Sequence, residues 1–274
     1  MGNCVSGRAS NEVSSKAMAL EINMREVCGW ARESGEVALA YFNTLQGERK
    51  SDHSLVSRAD LEIEQMLRER IQSRYPEHGI LGEEQGGEGL ENEYVWCLDP
   101  IDGTECFLAG LPVWGISIGL LARKQFYRGV VYLPTTDDCY WNEAADRAYW
   151  NGKPIHASKA ETLTVDDWLL IPSRAHEQYT LSFPCKARSY GSLATHCCYV
   201  ARNVAPAALL GRPKLWDIAA GLAILGAAGG AAVLLPSGQP LDVAALLAGK
   251  PLKEPLIACP PAFVGQLTTW IQER

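Results

Sequence analysis

The spacing of apolar residues changes once along this sequence, and that change constrains the fold more than any other feature. Residues 14–45 and 59–75 carry apolar side chains at helical spacing, as at Trp30 and Leu67. From residue 80 onward the apolar runs are short and bounded by turn residues, as in strands. We therefore predict two long helices followed by a mostly antiparallel sheet.

The positions of the apolar runs also predict individual elements. In the first half, strands are expected at 80–81, 94–98, 116–121, 129–133 and 139–141. In the second half, strands are expected at 169–171 and 232–235, and helices at 193–204, 218–228 and 263–271. The uncharged run 218–235 has the length of a membrane span, but glycines interrupt it. We interpret it as a buried helix followed by a strand.

Helices and strands in both halves predict an α+β chain that forms one unit over residues 1–274. A subdivision into 14–155 and 156–274 is the alternative. The polar segment Gln46 to Leu55 is expected to be an exposed, mobile loop of the kind used as a lid.

The amino terminus admits two interpretations. Residues 1–13 are expected to be a disordered tail. The first six residues nevertheless fit the M-G-x-x-x-S pattern for myristoylation at Gly2, with Cys4 available for a second acyl chain.

Charge and cysteine content exclude some classes of function. The chain has 25 Lys and Arg against 32 Asp and Glu, a net charge of -7, which is the wrong sign for a protein that binds nucleic acid or anionic lipid by charge. Nine cysteines form no C-x-x-C pair, and an odd number cannot all be bridged within one chain. We expect reduced thiols and a cytoplasmic location.

The most informative segment is an apolar run that leads into two acids. The run ends at Asp99, and the proline that follows biases this residue toward an extended backbone. Gly103 permits a tight bend, so that Asp102 turns back toward the same point and Thr104 caps a short helix. Free N–H groups then lie beside two carboxylates, which suits a bound phosphate only if a hard cation such as Mg²⁺ lies between them.

Three further acids are candidates for the same cation site. Glu83 and Glu84 follow a short strand, and Asp217 stands in front of a long apolar run, where burial of an acid is costly without a partner. Each candidate has a simpler interpretation. Asp99 and Asp102 also suit an ordinary turn, the glutamates a solvated loop, and Asp217 a helix N-cap.

Three segments of the chain resemble, in order and separation, the signature segments of the inositol monophosphatase family. They are L-G-E-E at 81–84, D-P-I-D-G-T at 99–104 and W-D-I-A-A-G at 216–221, and the likeness extends from Arg58-Ala59-Asp60 to Ala228-Gly229-Gly230. The resemblance implies a layered α/β/α/β/α sandwich of the inositol monophosphatase and fructose-1,6-bisphosphatase type. It also implies a dimer and a magnesium-dependent, lithium-sensitive phosphomonoesterase that acts on a small phosphorylated metabolite.

The resemblance further assigns roles to individual residues. The metal ligands it implies, for about two or three Mg²⁺ ions, are Glu83, Asp99, the carbonyl of Ile101, Asp102 and Asp217. The catalytic candidates are Asp60 and Thr104, which orient the attacking water, together with Glu84. The substrate-binding candidates are Gly103 and Thr104, whose amides receive the phosphate, and Gly191, Ser192, Leu193, Ala194 and Arg212.

Two departures from the family pattern concern the substrate. Cys106 stands where the family usually has Asn, so a hydrogen bond is missing or replaced. Leu210 stands where inositol-hydrolysing members carry a Glu that binds the sugar, which argues against inositol monophosphate as the main substrate. Arg212 and Lys214 suit a second phosphate or an ordinary solvated loop. Fructose bisphosphate, a 3'-phosphonucleotide, histidinol phosphate and a sugar phosphate are all candidate substrates.

Two other functions compete with this interpretation. Gly115 to Gly119 fits the G-x-S-x-G nucleophile elbow of serine hydrolases with Ser117 as nucleophile, but isoleucine on both sides favours a plain strand serine. A sensor that binds a phosphorylated metabolite without turning it over is the second alternative. The presence of every implied metal ligand argues against that loss of activity.

Overall fold

The structure is a computed structural model that describes residues 22–44, 48–49 and 55–274. The predictions for residues 1–13, including acylation at Gly2 and Cys4, lie outside the described residues. So does most of the predicted lid at 46–55. Within that loop the structure describes two short strands, β1 (Glu48–Arg49) and β2 (Leu55–Val56), which pair antiparallel.

Two helices open the described chain, as predicted. α1 covers Met24–Tyr41 and begins after Asn23, whose side chain accepts hydrogen bonds from the N–H groups of Arg25 and Glu26. α2 covers Arg58–Arg74 and follows Ser57. Both present their apolar stripe to one sheet, because their buried positions recur at helical spacing.

The next segment forms an eight-stranded sheet. Its strands are β3 (Gly79–Gly82), β4 (Gly86–Glu88), β5 (Tyr94–Asp102), β6 (Gly115–Ala122), β7 (Gln125–Leu133), β8 (Asp138–Ala144), β9 (Arg147–Trp150) and β10 (Lys153–Ile155), with the short helix α3 (Thr104–Leu108) after β5. The spatial order is β10-β9-β8-β7-β6-β5-β3-β4. All neighbours are antiparallel except β3 and β5, which confirms the prediction of a mostly antiparallel sheet.

The second half forms a five-stranded sheet with helices on both faces. Its elements are β11 (Trp168–Leu170), α4 (Ala175–Gln178), β12 (Tyr179–Leu181), β13 (Lys186–Arg188), α5 (Leu193–Ala201), β14 (Ala207–Gly211), α6 (Leu215–Ala227), β15 (Ala231–Leu234), α7 (Val243–Leu247), β16 (Leu256–Cys259), α8 (Val264–Trp270) and β17 (Ile271–Glu273). The sheet order is β13-β11-β14-β16-β15, and β12 pairs separately with β17. The run 218–235 is indeed a buried helix and a strand.

The apolar residues of each strand alternate between the two faces of its sheet, and this alternation builds five layers. In β5, Trp96 and Leu98 pack with α1 and α2, whereas Val95 and Cys97 face α5 and α6. The five-stranded sheet covers the other side of α5 and α6, and α4 and α8 close its outer face. The structure therefore confirms the predicted α/β/α/β/α sandwich.

One apolar core crosses the midpoint of the sequence. The cluster around α5 and α6 includes Val95 and Val131 from the first half and Leu215 and Leu256 from the second. The eight cysteines among the described residues are all free thiols. In the described part of the chain, no helix has the length and apolar character needed to cross a bilayer.

Candidate active site

The two acids of the D-P-I-D-G-T segment lie on either side of a β-bulge. Asp99 pairs with Ser117 and Asp102 with Gly115, so that three residue steps on β5 face two on β6. The strand therefore continues to Asp102, and the prediction that it ends at Asp99 was wrong. The extra residue re-aims the end of the strand.

The bend after Asp102 depends on a glycine. Gly103 has φ +97°, in the left-handed region where other residues are strained. Gly103 is also the N-cap of α3, so the prediction that Thr104 caps this helix was wrong. Thr104 is its first residue, and its hydroxyl donates to the carbonyl oxygen of Ile101 at 3.1 Å. That bond fixes the hydroxyl beside one of the implied metal-binding oxygens.

Asp102 is held by the beginning of α5. Its carboxylate accepts hydrogen bonds from the Ser192 hydroxyl at 2.6 Å, the Leu193 amide at 3.2 Å and the Ala194 amide at 2.7 Å. Burial raises the pKa of Asp102 to about 6, while these hydrogen bonds oppose that rise. The first amides of a helix favour an anion, so this contact fastens β5 to α5.

Asp99 is buried, at 2% exposure. Burial raises its pKa well above the usual range, and the negative charges of Glu83, Asp102, Asp217 and Asp60 raise it further. Its Oδ1 atom has no hydrogen-bond partner among the residues that the structure describes. Four other predicted acids therefore lie close enough to Asp99 to repel its charge.

Asp217 is the third residue of α6, and its carboxylate accepts the backbone N–H of Lys214 at 2.7 Å. The N-cap position belongs to Lys214, so the alternative that Asp217 is the N-cap was wrong. Burial raises the pKa of Asp217, and the charges of Asp102 and Glu83 add to the rise. Asp217 therefore approaches Asp102 and Glu83 from α6.

Asp60 lies in the first turn of α2 and is fully buried. Its Oδ2 atom accepts hydrogen bonds from the backbone N–H of Ser57 at 2.7 Å and from the Ser57 hydroxyl at 2.6 Å. The helix start therefore fixes the orientation of this carboxyl group. Its charge contributes to the raised pKa of Asp99.

Glu83 and Glu84 follow β3 in a turn held by a residue that the sequence analysis missed. Glu64 of α2 is fully buried and accepts the N–H groups of Glu84 at 2.8 Å and Gln85 at 3.0 Å. Arg68 donates to the same carboxylate at 2.9 Å. The available signal was an acid on the apolar face of a helix with an arginine four residues later.

The donor set suits a hard cation. The ligands implied by resemblance offer only carboxylate and carbonyl oxygens, the type that Mg²⁺ prefers. The charges of these acids raise the pKa values of Asp99 and Asp217, and a bound cation would offset that repulsion. A cation would also give a partner to the Oδ1 atom of Asp99, which has no hydrogen bond within the described chain. Within the described ranges no group of three or more His, Cys, Asp or Glu side chains is arranged so that it could hold a metal ion as it stands. The residues fit magnesium by their chemistry, and the exact ligand set remains a prediction.

Three of the predicted substrate-side residues contact Asp102, and a fourth, Arg212, lies elsewhere. The Ser192 hydroxyl and the Leu193 and Ala194 amides bind Asp102, next to the exposed Gly191. Arg212 does not join them, because its guanidinium donates to the Lys253 carbonyl at 2.9 Å and pairs with Glu273 at 2.5 Å.

The two departures from the family pattern have separate outcomes. The Cys106 thiol donates to the Tyr190 carbonyl at 3.4 Å, so the expected hydrogen bond is replaced and not missing. Leu210 is 2% exposed and belongs to the core around α5 and α6. Its side chain therefore serves packing.

The serine-hydrolase alternative has no structural support. Ser117 is fully buried in the middle of β6, which continues to Ala122 without the strand-to-helix turn of a nucleophile elbow. His176 lies in α4 with its side chain 76% exposed. The serine is a strand residue.

Comparison with known proteins agrees with this geometry. The sequence profile of the inositol monophosphatase family matches residues 22–259. Solved structures share the fold: an inositol monophosphatase (IMPase) from Thermotoga maritima has a TM-score of 0.78 at 23% identity and covers 90% of this chain and 95% of its own. The inositol monophosphatase of Anabaena (Nostoc) has a TM-score of 0.72 at 26% identity, with coverage of 90% and 96%.

Similar sequences extend the comparison beyond the solved structures. A fructose-1,6-bisphosphatase/inositol-1-monophosphatase from Aquifex aeolicus is 34% identical over 74% of this chain and 80% of its own length. A histidinol-phosphatase from Chlorobaculum parvum is 32% identical over 73% and 81%. The fold and these relatives define a phosphatase of the metal-dependent type. The chain belongs to the inositol monophosphatase family.

Proposed function

We propose that this protein is a magnesium-dependent phosphomonoesterase that hydrolyses a small phosphorylated metabolite by direct attack of water. The proposal is supported by the convergence of buried acids from β5, from α6 and from the turn after β3: Asp99, Asp102, Asp217 and Glu83 lie close enough together for their charges to raise the pKa values of Asp99 and Asp217. Carboxylates repel a phosphate unless a hard cation lies between them, so this group of acids suits a cation and a phosphate bound together. When bound, Mg²⁺ lowers the pKa of water and offsets the charge of the phosphate dianion.

The protein groups proposed to act on the reactants are already oriented by hydrogen bonds. Asp60, fixed by Ser57, and Thr104, fixed by the Ile101 carbonyl, orient the attacking water and accept its proton. The amides of Gly103 and Thr104 at the start of α3 donate to phosphate oxygens. Glu84 is proposed to act beside them.

The names of the relatives suggest the substrate class. Proteins named for inositol phosphate, fructose bisphosphate and histidinol phosphate are all similar to this chain. We propose a substrate from this group of small phosphate esters. Leu210 offers no hydrogen-bond acceptor for a sugar hydroxyl, which favours esters other than inositol monophosphate. Lithium sensitivity, a dimeric state and a cytoplasmic location belong to the same proposal.

Phosphate release from p-nitrophenyl phosphate tests the chemistry. We expect release to require Mg²⁺, to be inhibited by Li⁺, and to fall at least about 100-fold in Asp99→Asn. The control Asp166→Asn changes an exposed acid outside the cluster and retains activity. In EDTA, Asp99→Asn should unfold at a higher temperature than the wild type, because it removes a buried charge that its neighbours repel.

The opposite results identify the alternatives. Activity that survives chelation, or that Asp99→Asn retains, contradicts the metal mechanism. Absence of release at every magnesium concentration, with a folded protein, leaves the sensor interpretation.

A further inference from the structure

We infer that Cys28 and Cys139 form a redox site, at which hydrogen peroxide joins the two thiols in a reversible disulfide between α1 and β8. Both residues are free thiols in the structure. The charged groups that act on them are Arg32, Asp137 and Glu143, none of which belongs to the acid cluster. The inference therefore does not depend on the proposed phosphatase function.

The two cysteines lie on elements that pack against each other. Cys28 is in the second turn of α1, and Cys139 is the second residue of β8. Both contribute to the apolar core on the side of the eight-stranded sheet that α1 and α2 cover. The Cys28 thiol donates a hydrogen bond to the Cys139 sulfur. Folding thus brings together two thiols that are about 110 positions apart in the sequence.

Cys198 is a second cysteine near Cys139, because the charge of Cys139 raises its pKa after burial and Cys197. Cys198 is fully buried on α5, in the core on the opposite face of the sheet. Within the described chain no hydrogen bond joins it to Cys139. Cys28 is therefore the partner that the fold gives to Cys139.

The surroundings of the pair favour a thiolate at Cys139. The hydrogen bond from Cys28 lowers the pKa of Cys139, and the Arg32 guanidinium lowers it further against the opposing effects of burial and Asp137. Arg32 follows Cys28 by one helical turn, pairs with Asp137 and lies 4.9 Å from the centre of the Tyr132 ring. The same hydrogen bond, together with burial, raises the pKa of Cys28. Cys139 therefore supplies the nucleophile and Cys28 the second thiol.

The chemistry consumes one peroxide for each disulfide. The Cys139 thiolate attacks one peroxide oxygen, the O–O bond breaks, and the leaving hydroxide takes up the proton that Cys139 had lost, which gives water. Cys139 is then a sulfenic acid. The Cys28 sulfur attacks the Cys139 sulfur, the S–O bond breaks, and a second water leaves with the Cys28 proton. The two thiols lose two electrons in total, and the peroxide gains them.

Burial determines which oxidant suits the site. Cys139 is 1% exposed, whereas Cys28 is partly exposed and the neighbouring Arg32 side chain is 43% exposed. A molecule as small as hydrogen peroxide fits this approach from the α1 side. A protein disulfide does not, because it would have to contact the buried sulfur of Cys139.

The disulfide would tie the first helix to the sheet. It closes a loop of about 110 residues that includes α2 and the strands from β3 to β7. A crosslink over a loop of this length restricts the unfolded chain and thereby stabilises the folded one. A dithiol reductant reopens it by thiol–disulfide exchange. The stability of the first half of the chain therefore responds to peroxide.

Peptide mapping of the full chain tests the site. Trypsin releases each cysteine in a peptide with no other cysteine, Cys28 in residues 26–32 and Cys139 in residues 129–147. After treatment with an equimolar amount of hydrogen peroxide, we expect these two peptides to be joined, with a mass about 2 Da below their sum. The Tm should rise by about 5–10 °C, and dithiothreitol should reverse both changes.

Two substitutions and a control complete the test. Cys28→Ser and Cys139→Ser should each abolish the crosslink and the rise in Tm, and in Cys28→Ser the stranded sulfenic acid of Cys139 should react with dimedone. Cys185→Ser removes a partly exposed thiol outside the pair and should change neither result. A crosslink from Cys139 to Cys198, or oxidation without the Cys28–Cys139 disulfide, overturns the inference, and an unchanged Tm overturns its stabilising role. Mapping of the wild type decides the matter even if a variant does not fold.

Discussion

Glu64 and Arg68 form an ion pair one helical turn apart on α2, with side chains 0% and 8% exposed. The Glu64 carboxylate also accepts the two amides that shape the turn at Glu83 and Glu84. This ion pair therefore affects both the stability of α2 and the position of the turn that carries Glu83, a predicted metal ligand. Removing one partner of a buried pair leaves the other charge uncompensated.

Glu64→Gln is expected to lower the free energy of unfolding by about 3 kcal/mol. It should also lower kcat/KM, because the turn that carries Glu83 loses one of the two oxygen atoms that accept its N–H groups. Urea unfolding measures the first effect and phosphate release the second. Glu88 pairs with Arg68 from a side chain that is 54% exposed, so Glu88→Gln should cost less than about 1 kcal/mol. Equal effects of the two substitutions would refute the role of burial.

His196 is a second buried titratable residue, at 1% exposure. Its Nε2 atom accepts the backbone N–H of Tyr190 at 3.2 Å, which places the proton of the neutral ring on Nδ1. Burial lowers the pKa of His196 to about 4. Protonation of Nε2 would remove an acceptor next to the segment that binds Asp102.

This burial predicts a loss of stability in mild acid. In the unfolded chain a histidine takes up its proton near pH 6.5, and the folded protein takes it up near 4. Between these values the unfolded state binds more protons, so stability falls as the pH falls. The free-energy difference between wild type and His196→Gln should therefore shrink by up to about 3 kcal/mol from pH 7 to 4. The exposed His176→Gln serves as control, and an unchanged difference for His196→Gln would rule out the effect.

Sequence analysis found the residues whose placement depends on their neighbours in the chain and missed those whose contacts depend on distant segments. The acids Asp99, Asp102 and Asp217 stand next to apolar runs or turn residues, so their placement is encoded locally. The donors that hold Asp102 lie about ninety positions away in the sequence, as in the contact between Ser192 and Asp102. Such a partner cannot be derived from local pattern, because it depends on which layers pack together.

At the scale of elements, α6 sets the distance between Asp217 and the acids of β5. It packs on β6 and β7 at glycines that leave room for its backbone. A Cβ atom on Gly129 would lie 2.3 Å from the Ala220 carbonyl oxygen. The contact is with helix backbone, so no side-chain rotation can relieve it.

Gly129→Ala is expected to destabilise the protein by about 1–3 kcal/mol through overpacking. It should also reduce kcat, because α6 must move away from the sheet with Asp217 on it. The control is Gly226→Ala, near the end of the same helix, where a Cβ atom meets nothing within 4 Å. That substitution should stabilise by about 0.5–1 kcal/mol, because alanine favours a helix. Thermal unfolding and phosphate release together check both variants.

Long, strongly patterned elements were predictable, and short or uniformly buried ones were not. α2 was predicted to within one residue at each end. β14 was missed, because its five buried residues show no alternation that would separate a strand from a helix. β4 was missed because it consists of Gly-Gly-Glu and pairs with β3 only through its backbone.

At the scale of the whole molecule, the acids that act on Asp99 come from both halves of the sequence. They lie on α2, in the turn after β3, on β5 and on α6: Asp60, Glu83, Asp102 and Asp217. A cation bound among them would link elements that otherwise meet through apolar packing. Binding to the folded state alone then raises stability by mass action.

Magnesium is therefore expected to raise the Tm. At about one hundred times Kd the gain is about 2.7 kcal/mol. For a chain of this size that corresponds to a rise of about 5–10 °C. Differential scanning calorimetry in EDTA and in magnesium at matched ionic strength measures it. Asp99→Asn should show a smaller shift, and the same shift in both proteins would place the cation elsewhere.

The hydrogen bonds from the start of α5 to Asp102 also have a consequence for the synthesis of the protein. A nascent chain that has left the ribosome as far as residue 155 contains all of β5 and α3 but none of the donors between Ser192 and Ala194. Synthesis must proceed beyond Asp217 before the last acid of the cluster exists. The proposed metal site is therefore completed late in translation, and a premature stop yields a chain that lacks part of it even when the first sheet has formed.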